Sequence, residues 1–152
     1  MIKVLFVCLG NICRSPMAQI IFENMVKELG LENKFEIDSA GTEGYNELCN
    51  AGIHRGTKEI LRRKGVAFAE HYSRKIRQKD YEYYDYIIAM DKENIDDIKS
   101  IIGHDKDKKI TRLLDYTNKP RNIKDPWYTG NFDETYEDVV EGCEAFLKSL
   151  KL

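Results

Sequence analysis

Hydrophobic residues form short continuous runs that alternate with sets at helical spacing. The runs are rich in β-branched residues and predict four buried strands, at 3–7, 35–37, 86–90 and 110–114. The spaced sets predict four main helices, at 16–29, 55–64, 92–101 and from 132 to about 150. Strands that alternate with helices form parallel β-α-β units with right-handed crossovers. The fold class predicted is therefore α/β, a doubly wound three-layer sandwich with a four-stranded parallel sheet.

Capping residues define the ends of these helices. Ser15 is a suitable N-cap for the first helix, with Pro16 at its first position and Gly30 after its end. Asn131 and Glu134 predict a capping box at the start of the last helix. We expect that helix to bury the apolar residues Val139, Cys143, Phe146 and Leu150. Residues 42–53 and 115–130 are predicted as loops.

Chemically useful side chains follow the predicted strands. Cys8 follows the first strand, Ser39 the second and Asp91 the third, and the loop 115–130 follows the fourth. In open parallel sheets, ligands bind beyond the carboxyl ends of the strands. The sequence therefore predicts a site at this edge of the sheet.

Composition narrows the class of protein. The 152 residues, 42% hydrophobic and 33% charged, fit one globular domain covering 1–152. A net charge of −2 argues against a nucleic-acid partner, and no apolar run is long enough to span a membrane. We also find no secretory signal. The four cysteines show no zinc-ligand spacing, so we expect reduced thiols, no metal and a cytoplasmic location.

The loop between the first strand and the first helix has the features of an anion site. Backbone N–H groups at a helix N-terminus lack partners within the helix, and the helix dipole adds positive potential. Gly10 permits backbone conformations closed to other residues, and Asn11 tolerates a left-handed conformation. The segment 8–15 is therefore predicted to cradle a phosphate group.

Cys8 and Arg14 supply a nucleophile and a clamp in the same segment. Amide dipoles and an arginine favour the thiolate form of a cysteine. The guanidinium presents a planar fork that matches two phosphoryl oxygens. The Cys-x5-Arg spacing lets the loop place sulfur beneath the phosphorus while the arginine binds its oxygens. The alternative is a structural cysteine beside a solvated arginine, which the position between strand and helix disfavours.

The segment V-C-L-G-N-I-C-R-S-P at 7–16 resembles the signature loop of the low-molecular-weight protein tyrosine phosphatases. The resemblance covers the whole chain, with D-S-A-G-T at 38–42, M-D at 90–91 and D-P-W-Y at 125–128 in the expected order. It implies hydrolysis of phosphotyrosine through a cysteinyl-phosphate intermediate, without metal or other cofactor. The implied partners are phosphotyrosine-containing proteins. The oligomeric state stays open, with a monomer as the default.

The resemblance also assigns roles along the chain. Cys8 is the nucleophile, Arg14 the phosphate clamp and Asp125 the general acid and then base. The residues implied to surround the phosphate and the substrate ring are Leu9, Gly10, Asn11, Ile12, Cys13, Ser15, Tyr45, Trp127 and Tyr128.

Supporting roles follow from the same resemblance. Ser15 is expected to bond the Cys8 sulfur, and Ser39 and His71 to hold Asn11 in place. Asp91 either belongs to this shell near the acid or simply caps the following helix. Cys13 either forms a reversible disulfide with Cys8 under peroxide or is a small core residue.

The match to the family departs at 45–55. The family usually has a Pro-x-Asp-x-Arg-like stretch there, whereas this chain has C-N-A-G-I-H-R at 49–55, with Arg55 kept. Because that loop lines the cleft, the departure leaves substrate preference open. The basic runs 62–64 and 74–77 are interpreted as solvated faces.

Three other functions compete with a tyrosine phosphatase. An arsenate reductase on this fold needs a further cysteine pair near the third strand, and residues 50–142 contain no cysteine. Protein arginine phosphatases commonly carry threonine where Ile12 stands. A catalytically dead phosphotyrosine-binding module should lack the nucleophile, the clamp or the acid, and all three are present.

Overall fold

Four parallel strands form one sheet in the order β2-β1-β3-β4 in the computed structural model, which describes all 152 residues. The strands are β1 (Ile2–Cys8), β2 (Phe35–Gly41), β3 (Tyr86–Ala89) and β4 (Ile110–Arg112). Every strand pair is parallel, which confirms the predicted four-stranded parallel sheet.

Seven helices connect and cover the strands. They are α1 (Arg14–Glu28), α2 (Tyr45–Leu48), α3 (Arg55–Arg63), α4 (Gln78–Tyr83), α5 (Lys92–Ile102), α6 (Pro126–Thr129) and α7 (Phe132–Ser149). Single 3₁₀ turns lie at Glu32–Lys34 and Leu113–Tyr116. None of the helices combines the length and the apolar character needed to span a bilayer.

The alternation of side chains along β1 divides the core between the two faces of the sheet. Val4 and Phe6 belong to a buried cluster with the apolar residues of α1, α3 and α7. Leu5 and Val7 belong to a second cluster that includes residues of α4 and α5. Successive side chains of a strand point to opposite faces of the sheet, so a strand covered on both faces has apolar residues at consecutive positions. This gives the three layers predicted from the sequence.

The strand order places the phosphate loop at a change of direction in the sheet. β1 lies between β2 and β3, so the chain leaves it toward one side first and later returns to the other. Such a point opens a crevice beyond the carboxyl ends of the strands. Cys8 is the last residue of β1 and therefore lies at the bottom of this crevice.

The predicted start of α1 was wrong by two residues. The helix begins at Arg14 with Cys13 as its N-cap, and Ser15 is already inside its first turn. Ser15 is fully buried and its hydroxyl contacts Cys8 instead of capping the helix. The end at Gly30 is confirmed by its left-handed φ of 70°.

Short elements differ most from the predictions. The region 42–53 contains α2, and α4 was missed because it has only six residues. β4 ends at Arg112, where Asp115 accepts a hydrogen bond from the Arg112 amide and the chain turns. At the start of α7, Asn131 caps the Glu134 amide as predicted, while Leu150 lies half-buried just beyond the last turn.

Candidate active site

A cavity of about 300 Å³ lies above Cys8 at the end of β1. Its lining includes Cys8 and Arg14, the two ends of the Cys-x5-Arg motif, and Asp125 from the loop after β4. The lining residues are Cys8, Leu9, Gly10, Ile12, Cys13, Arg14, Glu43, Tyr45, Asn46, Asp125, Trp127 and Tyr128. Of these, Glu43 and Asn46 were not predicted, since a lone glutamate or asparagine in a loop carries no distinctive pattern.

Backbone N–H groups of the loop lie around the sulfur of Cys8. The Asn11 amide donates to the Cys8 Sγ at 3.3 Å. The amides of Gly10, Ile12 and Cys13 donate to no other protein group. Such a set of N–H groups beside a helix N-terminus suits a bound oxyanion.

The left-handed residue of the loop is Asn11, with φ 55°, the conformation that it was expected to tolerate, whereas Gly10 does not have a positive φ. A Cβ at Gly10 would lie 2.7 Å from the Nδ2 of Asn46, so that side chain would have to move from its hydrogen bond to the Gly10 carbonyl oxygen. Gly41 is similarly close to the loop at the end of β2, where a Cβ would lie 2.7 Å from the Leu9 carbonyl oxygen. The loop is therefore closely packed from two sides.

The side chain of Asn11 is buried, and both its amide nitrogen and its amide oxygen have hydrogen-bond partners. Its Nδ2 donates to the hydroxyls of Ser15 (2.8 Å) and Ser39 (3.0 Å). Its Oδ1 accepts from His71 Nε2 (2.9 Å) and from the Arg74 amide (3.1 Å). Four hydrogen bonds hold a residue whose backbone conformation is otherwise unfavourable. Asn11 and Ser15 thus lie beneath the cavity and not on its lining.

The hydroxyl of Ser15 lies beside the candidate nucleophile. Its oxygen lies 3.0 Å from Cys8 Sγ and 3.3 Å from the Ala40 carbonyl oxygen. Because Asn11 Nδ2 already donates to this oxygen, the single hydroxyl proton is available to the sulfur or the carbonyl. The shorter contact is the one to Cys8, and a donor is what a thiolate requires.

His71 is held in the tautomer that Asn11 needs. The Oδ1 of Asn11 can only accept, so the proton lies on Nε2 of His71. Burial lowers the pKa of His71, and the nearby Arg74 lowers it further against the opposing effect of Asp38. The ring is therefore neutral at neutral pH and donates through Nε2.

The segment after His71 was misinterpreted as a solvated basic run. Arg74 is half-buried and forms ion pairs with Asp38 (3.1 Å) and Asp80 (3.1 Å), and Ile76 is fully buried. The Ser73 hydroxyl donates to the Asn11 carbonyl oxygen at 2.9 Å. Sequence spacing alone could not reveal this, because the acidic partners are 36 and 6 residues away. The other run, 62–64, is exposed as predicted.

We expect Asn11→Ala to destabilise the protein by about 2–5 kcal/mol. A left-handed alanine costs about 1–2 kcal/mol, and the unpaired buried donors add about 1–3 kcal/mol. The matched control is Asn50→Ala, because Asn50 has φ 52° but an exposed side chain. Urea unfolding of the two variants measures the difference. Equal losses in both would mean that the buried network contributes nothing beyond the backbone term.

Arg14 is buried, and one of its two terminal nitrogens is anchored. Nη1 donates to Asp91 Oδ2 at 2.6 Å and to the Ile123 carbonyl oxygen at 2.8 Å. Burial alone would lower the pKa of Arg14, but Cys8, Asp91 and Asp125 outweigh it and raise that pKa. The guanidinium therefore stays charged. Its Nε makes no hydrogen bond within the protein and its Nη2 has only the longer contact of 3.4 Å with Asp125, so this edge is the one that can face a ligand.

Asp91 has both of the roles that the sequence left open. Its Oδ1 accepts from the Asn94 amide at 2.8 Å and so caps α5. Its Oδ2 forms the salt bridge with Arg14. The helix cap fixes one carboxylate oxygen, which leaves the other in place to orient the guanidinium.

Asp125 lines the same cavity from the start of α6. Its Oδ1 accepts from the Trp127 amide at 3.1 Å and caps α6. Its Oδ2 lies 3.4 Å from Nη2 of Arg14. The predicted stiff turn at D-P-W-Y is thus a single helical turn, and it directs the carboxylate toward Arg14.

Aromatic side chains form the walls of the cavity mouth. Tyr45, Trp127 and Tyr128 are 67%, 61% and 77% exposed, and Leu9 and Ile12 add apolar surface to the lining. Rings on two sides of a deep anion site suit a flat aromatic group.

Cys13 is buried beside the loop, and burial raises the pKa of its thiol well above the usual range, with the charge of Cys8 second in effect. It therefore stays protonated while Cys8 faces the amides. The predicted disulfide between the two remains a prediction, since all four cysteines are free.

Comparison with known proteins agrees with this geometry. Residues 3–152 match the sequence profile of the family described as low molecular weight phosphotyrosine protein phosphatase. The chain is 46% identical to the low molecular weight protein-tyrosine-phosphatase YfkJ of Bacillus subtilis, over 99% of this chain and 97% of that protein.

Solved structures give the same result. The fold is similar to the crystal structure of YfkJ, with a TM-score of 0.92 and coverage of 99% of this chain and 95% of that one. It is also similar to a Drosophila arginine phosphatase, at 31% identity, a TM-score of 0.87 and 99% coverage of both chains. The chain belongs to the low molecular weight phosphotyrosine protein phosphatase family.

Proposed function

We propose that the protein hydrolyses phosphotyrosine, with Cys8 as nucleophile, Arg14 as clamp and Asp125 as general acid and base. The observation that carries this proposal is the convergence of all three side chains on one cavity with aromatic walls. They come from the end of β1, the start of α1 and the cap of α6.

The first step transfers the phosphoryl group to sulfur. The Cys8 thiolate attacks phosphorus, an S–P bond forms and the bond from phosphorus to the tyrosine oxygen breaks. Asp125, as the carboxylic acid, gives its proton to that oxygen, so neutral tyrosine leaves. The loop amides and the free edge of Arg14 bind the three phosphoryl oxygens and stabilise their charge.

The second step returns the enzyme to its starting state. Asp125, now a carboxylate, takes a proton from water as the water oxygen attacks phosphorus. The S–P bond breaks, inorganic phosphate forms and Cys8 leaves as a thiolate. The Ser15 hydroxyl, 3.0 Å from the sulfur, donates a hydrogen bond to that leaving thiolate.

A phosphoarginine substrate is the second candidate, because a structural relative is an arginine phosphatase. Its leaving group would be a guanidine, which is polar and carries several N–H donors. The cavity mouth instead offers Ile12, Leu9 and three aromatic rings. These surfaces favour the ring of phosphotyrosine.

A side-by-side assay on peptides of one sequence carrying phosphotyrosine, phosphoserine or phosphoarginine tests the proposed substrate. We expect kcat/KM to be highest for phosphotyrosine, and the activity to persist in EDTA because Arg14 and the amides supply the positive charge. A higher kcat/KM for phosphoarginine would transfer the proposal to that substrate. Loss of activity in EDTA with recovery on added zinc or magnesium would contradict the mechanism.

The wider setting is part of the same proposal. The substrates are phosphotyrosine-containing proteins, since the cavity is open and its walls are exposed. A nucleophilic thiol must stay reduced, which fits the cytoplasm. We take residues 1–152 as one phosphatase domain, with no nucleic-acid partner at a net charge of −2.

A further inference from the structure

The atypical segment before α3 places His54 between the phosphate loop and the acidic turn. His54 is the N-cap of α3, and its Nδ1 accepts from the Gly56 amide at 2.9 Å. Nothing in the chemistry of the two steps uses this residue. Its surroundings nevertheless connect the two halves of the candidate active site.

The backbone around His54 is fixed to the phosphate loop. The His54 amide donates to the Ile12 carbonyl oxygen at 2.8 Å. One turn later, the Thr57 hydroxyl donates to the Cys13 carbonyl oxygen at 3.1 Å. The first turn of α3 therefore moves with the loop that holds Cys8.

The imidazole ring contacts the other half of the site. It stacks on Phe132, with centroids 5.2 Å apart and planes at 18°, and meets Trp127 edge-on at 5.6 Å and 80°. A Cβ at Gly56 would lie 2.4 Å from the Phe132 ring, so α3 approaches Phe132 as closely as a glycine allows.

Trp127 transmits this contact to the candidate acid. The Trp127 amide donates a hydrogen bond to Asp125 Oδ1 at 3.1 Å. Trp127 is 61% exposed, and the ring of His54 is its one ring–ring contact. A four-residue helical turn has little stability of its own, so its orientation depends on what its side chains contact.

We propose that His54 is a positioning residue whose ring, packed between Phe132 and Trp127, holds the α6 turn so that Asp125 faces Cys8. The proposal rests on the proposed function, because it assigns Asp125 as the group that needs to be placed. The His54 ring acts in the neutral form, because a protonated Nδ1 could not accept a hydrogen bond from the Gly56 amide. Burial lowers the pKa of His54, and Arg55 lowers it further.

Two variants separate the ring from the helix cap. His54→Asn keeps a capping acceptor but removes the ring, and His54→Phe keeps a ring but removes the cap. We expect His54→Asn to lose about 10- to 100-fold in the single-turnover rate on a phosphotyrosine peptide, the range for a catalytic group displaced by up to 1 Å. On p-nitrophenyl phosphate, whose phenolate leaves without protonation, its loss should be small.

His54→Phe should recover the rate on the peptide while its melting temperature falls by about 2–4 °C, because the cap is lost. Equal loss on both substrates in His54→Asn, or no recovery in His54→Phe, would overturn the positioning role. If His54→Asn fails to fold, His54→Leu replaces it, because Leu and Phe both lack the cap and differ in the ring.

Trp127 gives a readout that does not depend on activity, because it is the only tryptophan of the chain. Quenching of its fluorescence by acrylamide should increase in His54→Asn and stay near the wild-type level in His54→Phe. Unchanged quenching in His54→Asn would overturn the contact. A wild-type protein inactive on phosphotyrosine would refute the proposed function instead, and the quenching comparison would still decide whether His54 holds the turn.

Discussion

Cys8→Ser should abolish turnover while the fold survives. A hydroxyl in the same place is far less ionised than a thiol, so it cannot attack phosphorus at neutral pH. We expect the loss in kcat to reach about 10⁴-fold or more, as when the nucleophile of other hydrolases is removed. The change is small in volume, and the Ser15 hydroxyl and the Asn11 amide can still bond the new oxygen.

The matched control is Cys143→Ser, another buried thiol exchanged for a hydroxyl. Cys143 lies in α7, with its nearest acceptor, the Ala18 carbonyl oxygen, at 3.8 Å, and it is absent from the cavity lining. It should retain kcat. Appreciable phosphatase activity in a Cys8→Ser protein of verified mass would refute the assignment of the nucleophile.

The anchored side of Arg14 explains why a lysine should not replace it. Nη1 already binds Asp91 and the Ile123 carbonyl oxygen, and the remaining edge is the one proposed to bind the ligand. A single ammonium group cannot serve both sides with the geometry of the fork. We expect Arg14→Lys to lose about 10²- to 10³-fold in kcat, the usual cost of removing one donor to a developing anion.

The sheet and the phosphate loop could be predicted because their signals are local. β1 shows a run of apolar residues, and the loop from Cys8 to Arg14 carries its chemistry within seven consecutive positions. The change from strand to helix then places that chemistry at the carboxyl edge of the sheet. Asp125 depended on the family resemblance, since an aspartate before a proline ordinarily marks only a turn.

The supporting shell could be predicted only where the resemblance named it. Ser39 and His71 were expected around Asn11, and the structure places both within 3.2 Å of each other and of that side chain. Arg74 was misinterpreted because its amide bonds Asn11, 63 residues away, and its ion pair with Asp38 spans 36 residues. Local propensity contains no information about such contacts.

Ser15 shows how a functional contact can override a capping preference. A serine before a proline is a strong N-cap signal, yet here the helix begins two residues earlier than that signal predicts. The hydroxyl gains hydrogen bonds to Cys8 and Asn11, both buried. Capping rules consider the local hydrogen bond from a helix amide to the serine oxygen. They do not include the contacts of Ser15 with Cys8 and Asn11.

Asp125→Ala should slow the first chemical step by about 10²- to 10⁴-fold, the range for a general acid. The loss should depend on the leaving group, because an unstable phenolate needs the proton and a stable one does not. We therefore expect the largest loss on phosphotyrosine and the smallest on aryl phosphates with acidic phenols.

The geometry also defines what a purely structural aspartate would do. Asp125 caps α6 through the Trp127 amide, so its loss could loosen the turn and lower all rates alike, together with the melting temperature. Asp125→Asn separates the two effects, because asparagine keeps a capping oxygen but carries no acidic proton. Single-turnover rates of both variants, plotted against the pKa of the leaving phenol, should show the same steep dependence. If the dependence in Asp125→Asn matches that of the wild type, the acid lies elsewhere, and Asp91, which bonds the same guanidinium, is the next residue to replace.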